Sequence, residues 1–99
     1  MNYTKYSPSV IREYLVYMET ILGRSAKTVS EYYLDLRTFF RYILVSRNLV
    51  DKNTPFDEIS IDQVDIKTAA SVTRSEILDF LVFAAKNSII LPIFKGYPN

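Results

Sequence analysis

The 99-residue sequence contains no cysteine and no histidine. The first absence excludes a disulfide framework and a thiolate metal site, and it fits a reducing cytosol. The second excludes imidazole acid–base catalysis and His-ligated zinc within these residues. Glycine occurs twice and proline four times, which leaves room for long uninterrupted helices. No stretch approaches the roughly 20 apolar residues that span a bilayer. The opening Met1-Asn2-Tyr3-Thr4-Lys5-Tyr6 is too polar for a signal peptide. The expectation is a cytoplasmic protein with no membrane contact, no cofactor, no metal and no small-molecule substrate.

Hydrophobic residues make up 48% of the chain, enough for a single domain with one core. The net charge of +1 says little about a partner, but its distribution says more. Residues 1–50 carry seven Lys/Arg against four Asp/Glu, and residues 51–99 carry five against seven. The positive half is the more strongly helical one, a modest pointer to an anionic partner.

A first helix is predicted from Pro8 to Leu22, capped by Ser7, with Pro8 at the position that needs no N–H. Tyr6 and Ile11 are placed for a hydrophobic staple. Ile11, Tyr14, Leu15, Met18, Ile21 and Leu22 share one face, and Gly23 ends the helix. A second helix is predicted from the Ser25 cap to Arg47. Its buried face reads Val29, Tyr32, Tyr33, Leu36, Phe39, Phe40 and Ile43, and its opposite face Lys27, Ser30, Leu34, Thr38 and Arg41. With only Gly23 and Arg24 between them, the two helices should form an antiparallel hairpin. The aromatic stripe of Tyr32, Phe39 and Phe40 could stack on single-stranded bases, but its helical spacing reads as core. Tyr14, Tyr17 and Tyr33 are placed at the core's edge with wet hydroxyls. Asp35, at the border of the buried face, reads as structural, paired with Arg12 or another cation.

Asn48, Asp51, Asn53 and Pro55 read as a loop. Ile59, Ile61, Val64 and Ile66 partly alternate with polar residues, but a lone strand has no partner, so a linker with one or two short helical turns is expected. A third long helix begins after Thr73. Thr73 and Glu76 match a capping box, Val72 and Ile77 a staple, and Ile77, Phe80, Leu81 and Ala84 an inner stripe, with Ala85 beside it and the end near Asn87. Residues 88–99 hold the apolar run Ile89, Ile90, Leu91, Ile93 and Phe94, broken by Pro92, which suits neither helix nor central strand. There is no internal repeat. The fold class is therefore all-α, a small bundle of three long helices, with residues 1–87 as the helical domain and 88–99 as a divergent tail.

The second helix carries a spacing that resembles a known family. Ser25, Thr28, Tyr32, Asp35, Leu36 and Phe39 stand as in the N-terminal, SAM-like core-binding domain of tyrosine recombinases, the phage-type integrases. Tyr14-Leu15 and the Gly23 turn upstream, and Val72-Thr73 followed by Glu76-Ile77-Leu78-Asp79-Phe80-Leu81 downstream, are similar too, so the resemblance covers about residues 8–86. It implies a helical jaw of a clamp around duplex DNA, non-catalytic in itself. In the family the catalytic Arg, His and Tyr residues lie in a second domain, so none of the eight tyrosines here is a nucleophile candidate. The family's pattern continues into a basic fourth helix that residues 88–99 do not resemble. That helix is expected to be missing, as after truncation, or replaced.

The resemblance and helix-terminus electrostatics together nominate DNA-binding residues. Arg24, Ser25, Lys27, Thr28 and Glu31 lie at the start of the second helix, where free N–H groups and a partial positive charge face outward. Arg24 and Lys27 would contact phosphates, Thr28 a phosphate or base edge, and Glu31 only a cytosine amino group. The plainer reading makes Ser25 and Thr28 caps and Lys27 a solvated lysine. Arg41 shares the outer face with Lys27, and Arg37 borders it. Lys67 and Arg74 flank the start of the third long helix, where the same logic applies.

The leading function is a non-catalytic DNA-binding module of a site-specific recombinase, with duplex DNA and other recombinase protomers on DNA as partners. The alternative is a helical protein–protein interaction module with an exposed groove and no DNA binding. A helix-turn-helix repressor ranks lower, because the second helix is too long and too aromatic for a recognition helix. An independent enzyme ranks last, for want of any catalytic constellation.

Overall fold

The computed structural model describes residues 8–90. Four α-helices and one short 3₁₀ turn appear among them, with no strand. The expected Ser7 cap, the Tyr6 half of the staple and the apolar residues Leu91, Ile93 and Phe94 lie outside the described residues.

Helix α1 spans Ser9–Thr20 and buries Ile11, Leu15 and Met18, the four- and three-residue steps that put one stripe on one face. It stops two residues before the predicted end. Tyr14 and Tyr17 stay at the surface, and Ile21 and Leu22, expected on the inner face, are exposed in the link to α2. That link is Ile21–Ser25 rather than two residues. Gly23 sits at φ +67, a left-handed turn that returns the Arg24 N–H to the Met18 carbonyl at 3.1 Å and closes the helix's open end.

Helix α2, Ala26–Ser46, is the longest element and the spine of the molecule. It packs against both α1 and the last long helix. It buries Val29, Tyr33, Asp35, Phe39, Phe40, Ile43 and Leu44. Tyr32 and Leu36 are half-buried against the same core. Tyr33 corrects the expectation of a wet edge: it is 3% exposed, because its steps of four from Val29 and seven to Phe40 keep it on the inner face. The helix closes at Asn48, whose positive φ of 58 lets the Leu49 N–H reach the Leu44 carbonyl at 2.9 Å, a Schellman-type bond.

Residues 49–73 are more than a linker. A 3₁₀ turn at Phe56–Glu58 and the short helix α3, Ile66–Ala70, confirm the two short turns. Between them Ile59, Ile61 and Val64 are all buried, so the segment supplies a third side of the core. Their near-alternation comes from irregular backbone that dips inward, with polar Ser60, Asp62 and Gln63 turned out.

Helix α4, Arg74–Lys86, begins with the predicted capping box in full: the Thr73 hydroxyl accepts from the Glu76 N–H, and the Glu76 carboxylate accepts from the Thr73 N–H. Phe80 and Ala84 are buried, Ile77 and Leu81 half-buried, and Ala85 exposed. Rings join the elements. Phe39 meets Phe40 and Phe80 edge-on at 5.1 and 5.0 Å, and Tyr42 lies 4.9 Å from Phe83, which also faces Phe56 at 5.8 Å. The stripe is thus core, as its spacing predicts. Ile89 packs back on this core after a Schellman-type turn at Ser88.

Candidate nucleic-acid interface

Apart from Arg41, which lies within α2, the nominated residues fall at the two ends of that helix. Arg24, Ser25 and Lys27 are exposed at its N-terminus, with Thr28 and Glu31 half-buried just inside. Ser25 is the N-cap: its hydroxyl oxygen accepts from the Thr28 N–H at 3.1 Å, and the two hydroxyls lie 3.0 Å apart. The cap satisfies one of the orphan donors, and the Ala26 and Lys27 N–H groups are left facing outward. The first turn holds no acidic residue, so its partial positive charge is uncompensated locally. Glu31 follows Lys27 by one turn and reduces the charge of this end.

Lys67 and Arg74 are exposed at the other end. Their place is fixed by Arg47, the C-cap of α2, which reaches the start of α4. Its Nε donates to Glu76 Oε2 at 2.9 Å, Nη2 to Glu76 Oε1 at 2.8 Å, and Nη1 to the Ser71 hydroxyl at 2.8 Å. About 30 Å of helix therefore separates Lys27 from this joint, at 1.5 Å per residue. Sequence reasoning treated the two helix starts alike, and the structure distinguishes them. The α4 start is already occupied by the Glu76 carboxylate, which Arg47 and the Thr73 N–H hold well below the usual range, at about 2. Helix α3 is capped by Asp65, whose carboxylate accepts from the Thr68 N–H at 2.9 Å and is held low by that bond. Carboxylates thus cap the starts of α3 and α4, whereas the start of α2 is open.

Arg41, expected on an exposed outer face of α2, is instead half-buried. Its Nε donates to the Ile59 carbonyl at 2.8 Å and so ties α2 to the core-forming segment. Partial burial, and then the charge of Arg37, push its pKa down. The Arg47 joint and the Arg41–Ile59 bond were missed in the sequence because both partners lie far apart in the chain. Only the apolar spacing of Ile59, Ile61 and Val64 hinted that this segment returns to α2.

Among the described residues no group of three Asp or Glu side chains is placed to hold a metal, and no helix is long and apolar enough to cross a membrane. On the outer side of α4, Leu78, Leu81, Val82 and Ala85 line a shallow apolar groove.

Compared with known proteins, the chain is 39% identical over 83 residues to the tyrosine recombinase XerC of Caldanaerobacter subterraneus subsp. tengcongensis. The match takes in 84% of this chain and 23% of that protein, so the chain spans less than a quarter of its relative's length. The matched stretch is a tyrosine-recombinase-related region. No protein-family profile matches the chain, and no solved structure does.

Proposed function

We propose that the chain is a non-catalytic, SAM-like core-binding domain of a site-specific tyrosine recombinase or integrase, clamping duplex DNA at a recombination half-site. The observation that carries this reading is the 39% identity to a recombinase, over a span long enough to take in most of the bundle. The open, acid-free N-terminus of α2 with Arg24 and Lys27 beside it supports a phosphate-facing role for that end. Thr28 would donate to a phosphate or base edge through its hydroxyl, its backbone N–H being taken up by the Ser25 cap. The chemistry of strand exchange then belongs to residues other than these, which include no histidine. Other recombinase protomers on the same DNA are the natural protein partners.

Fluorescence anisotropy of a labelled mixed-sequence duplex tests the reading. Binding should be clear at about 50 mM salt and fall by about tenfold or more by 200 mM, as a few released counterions require. Absence of binding at low salt, together with concentration-dependent sedimentation, would overturn it in favour of an association module using the apolar groove of α4.

A further inference from the structure

The outer side of α4 carries two pairs of apolar side chains, each one turn apart, Leu78 with Val82 and Leu81 with Ala85, and the two rows line its shallow groove. Leu81 rests on the core beneath, but Val82 is 54% exposed and Ala85 is exposed too. Helix α4 packs on α2 through Phe80, on its other side. None of the four side chains has a polar atom, so only apolar contact fills the groove.

The end of α4 brings the chain to this groove. Ser88 takes φ 56 and the Ile89 N–H returns to the Ala84 carbonyl at 2.9 Å, so the chain turns back at the last turn of the helix, where Ala85 begins the groove. Ile89 packs on the core and Ile90 is 85% exposed. The sequence then reads Leu91-Pro92-Ile93-Phe94, with large apolar side chains at every position but the proline, all of it outside the described residues. From Ala85 to Leu78 the groove is about 10 Å long at 1.5 Å per residue. Four residues reach about 13 Å at about 3.3 Å each. Pro92 is no obstacle, because a groove lined by side chains asks for no backbone N–H, and its fixed φ reduces the freedom lost on docking.

Concentration decides between occupants. Tethered through Ile90, this segment faces the groove at an effective concentration on the order of millimolar. A second copy or another protein competes only at its own bulk concentration. Four apolar side chains also offer far less contact than the roughly 1,200 Å² at which stable interfaces begin. We infer that residues 91–94 of this chain cover the α4 groove and close it to a second copy. The inference stands apart from the duplex reading, because the groove holds none of the residues nominated for DNA.

The chain holds no cysteine, so Lys95→Cys places a single nitroxide beside the segment. Methyl NMR of Leu78, Leu81 and Val82 then reads its proximity. When one chain carries both the nitroxide and the methyl isotopes, these three residues should broaden, and recover once the nitroxide is reduced. In an equimolar mixture of spin-labelled chain without isotopes and isotope-labelled chain without nitroxide, they should stay sharp. Equal broadening in the mixture would assign the groove to a second copy and overturn the inference. Sharp resonances in both samples would overturn it as well, leaving the groove uncovered. I93S/F94S in the full chain gives an independent reading: the Leu78 and Val82 methyl shifts should move, while those of Ile11 and Leu15 on α1 keep their positions and show an intact fold. Unmoved Leu78 and Val82 shifts would count against residues 91–94 as the occupant.

Discussion

Arg47 and Glu76 meet in a two-point pair, Nε to Oε2 at 2.9 Å and Nη2 to Oε1 at 2.8 Å, and so bolt the end of α2 to the beginning of α4. The same arginine holds the Ser71 hydroxyl, and the same carboxylate closes the α4 capping box, so three consecutive elements share one fixture. Its geometry is that of the strong class of charge-assisted hydrogen bonds, although both side chains keep some contact with water.

This fixture makes stability depend on pH in a defined direction. The Glu76 carboxyl, hydrogen-bonded by Arg47, is depressed from 4.5 to about 2 in the folded chain. A depressed carboxyl contributes stability that is fully present above its unfolded pKa and is lost as pH falls through the folded one. Urea unfolding should therefore show E76Q less stable than wild type by about 1–2 kcal/mol at neutral pH, a figure reduced for solvent screening. The gap should narrow from about pH 4.5 downward and close near pH 2. A gap that is the same at pH 7 and pH 2.5 would mean that the Glu76 charge contributes nothing.

Ile61 and Ile66 look alike in the sequence, two isoleucines in the same partly alternating run, and the structure separates them. Ile61 is 4% exposed and Ile66 65%. I61A should cost roughly 2–5 kcal/mol through lost burial and a residual cavity, and I66A should stay within about 0.5 kcal/mol of wild type. Equal effects in thermal or chemical unfolding would contradict the role of residues 59–64 as part of the core.

The ends of α1 and α2 differ in how well the residue suits its backbone. Gly23 takes φ +67 with open space where a Cβ would project, so G23A meets no steric neighbour, only backbone strain, and should lose about 1 kcal/mol. Asn48 holds φ 58 at the end of α2, and N48G should be neutral or gain up to about 0.5 kcal/mol. Opposite signs in the unfolding midpoints check both. A stable G23A would indicate that the α1–α2 link relaxes to another turn.

The three long helices were legible because their signals are local. The Ser25 cap, the Thr73–Glu76 box and the three- and four-step apolar stripes each lie within a few residues of one another, so spacing alone exposes them. The end of α1 was less legible: Gly23 announces a stop, but the chain leaves the helix at Thr20, before the glycine. The role of residues 59–64 was not legible, since Ile59, Ile61 and Val64 fit strand, loop and core equally well until α2 and α4 are seen to flank them. At the candidate interface, the residue types at the two helix starts could be read from the sequence. Their difference could not, because it depends on Arg47 crossing to Glu76, 29 residues away.

That difference gives the last prediction. If anions choose a helix start by its unspent positive end, the start of α2 should dominate and that of α4 should contribute little, because Glu76 already fills it. The double variant R24Q/K27Q should weaken duplex binding and reduce the salt slope by about two, near the value for two lost phosphate contacts. K67Q/R74Q, with the same loss of two positive charges, should change the slope by less than half as much. The paired design separates a located contact from general electrostatic attraction, which depends on net charge and would treat the two variants alike. Equal slopes would mean that overall charge, and not the open start of α2, governs binding. A larger effect of K67Q/R74Q would reverse the orientation of the bundle on its duplex.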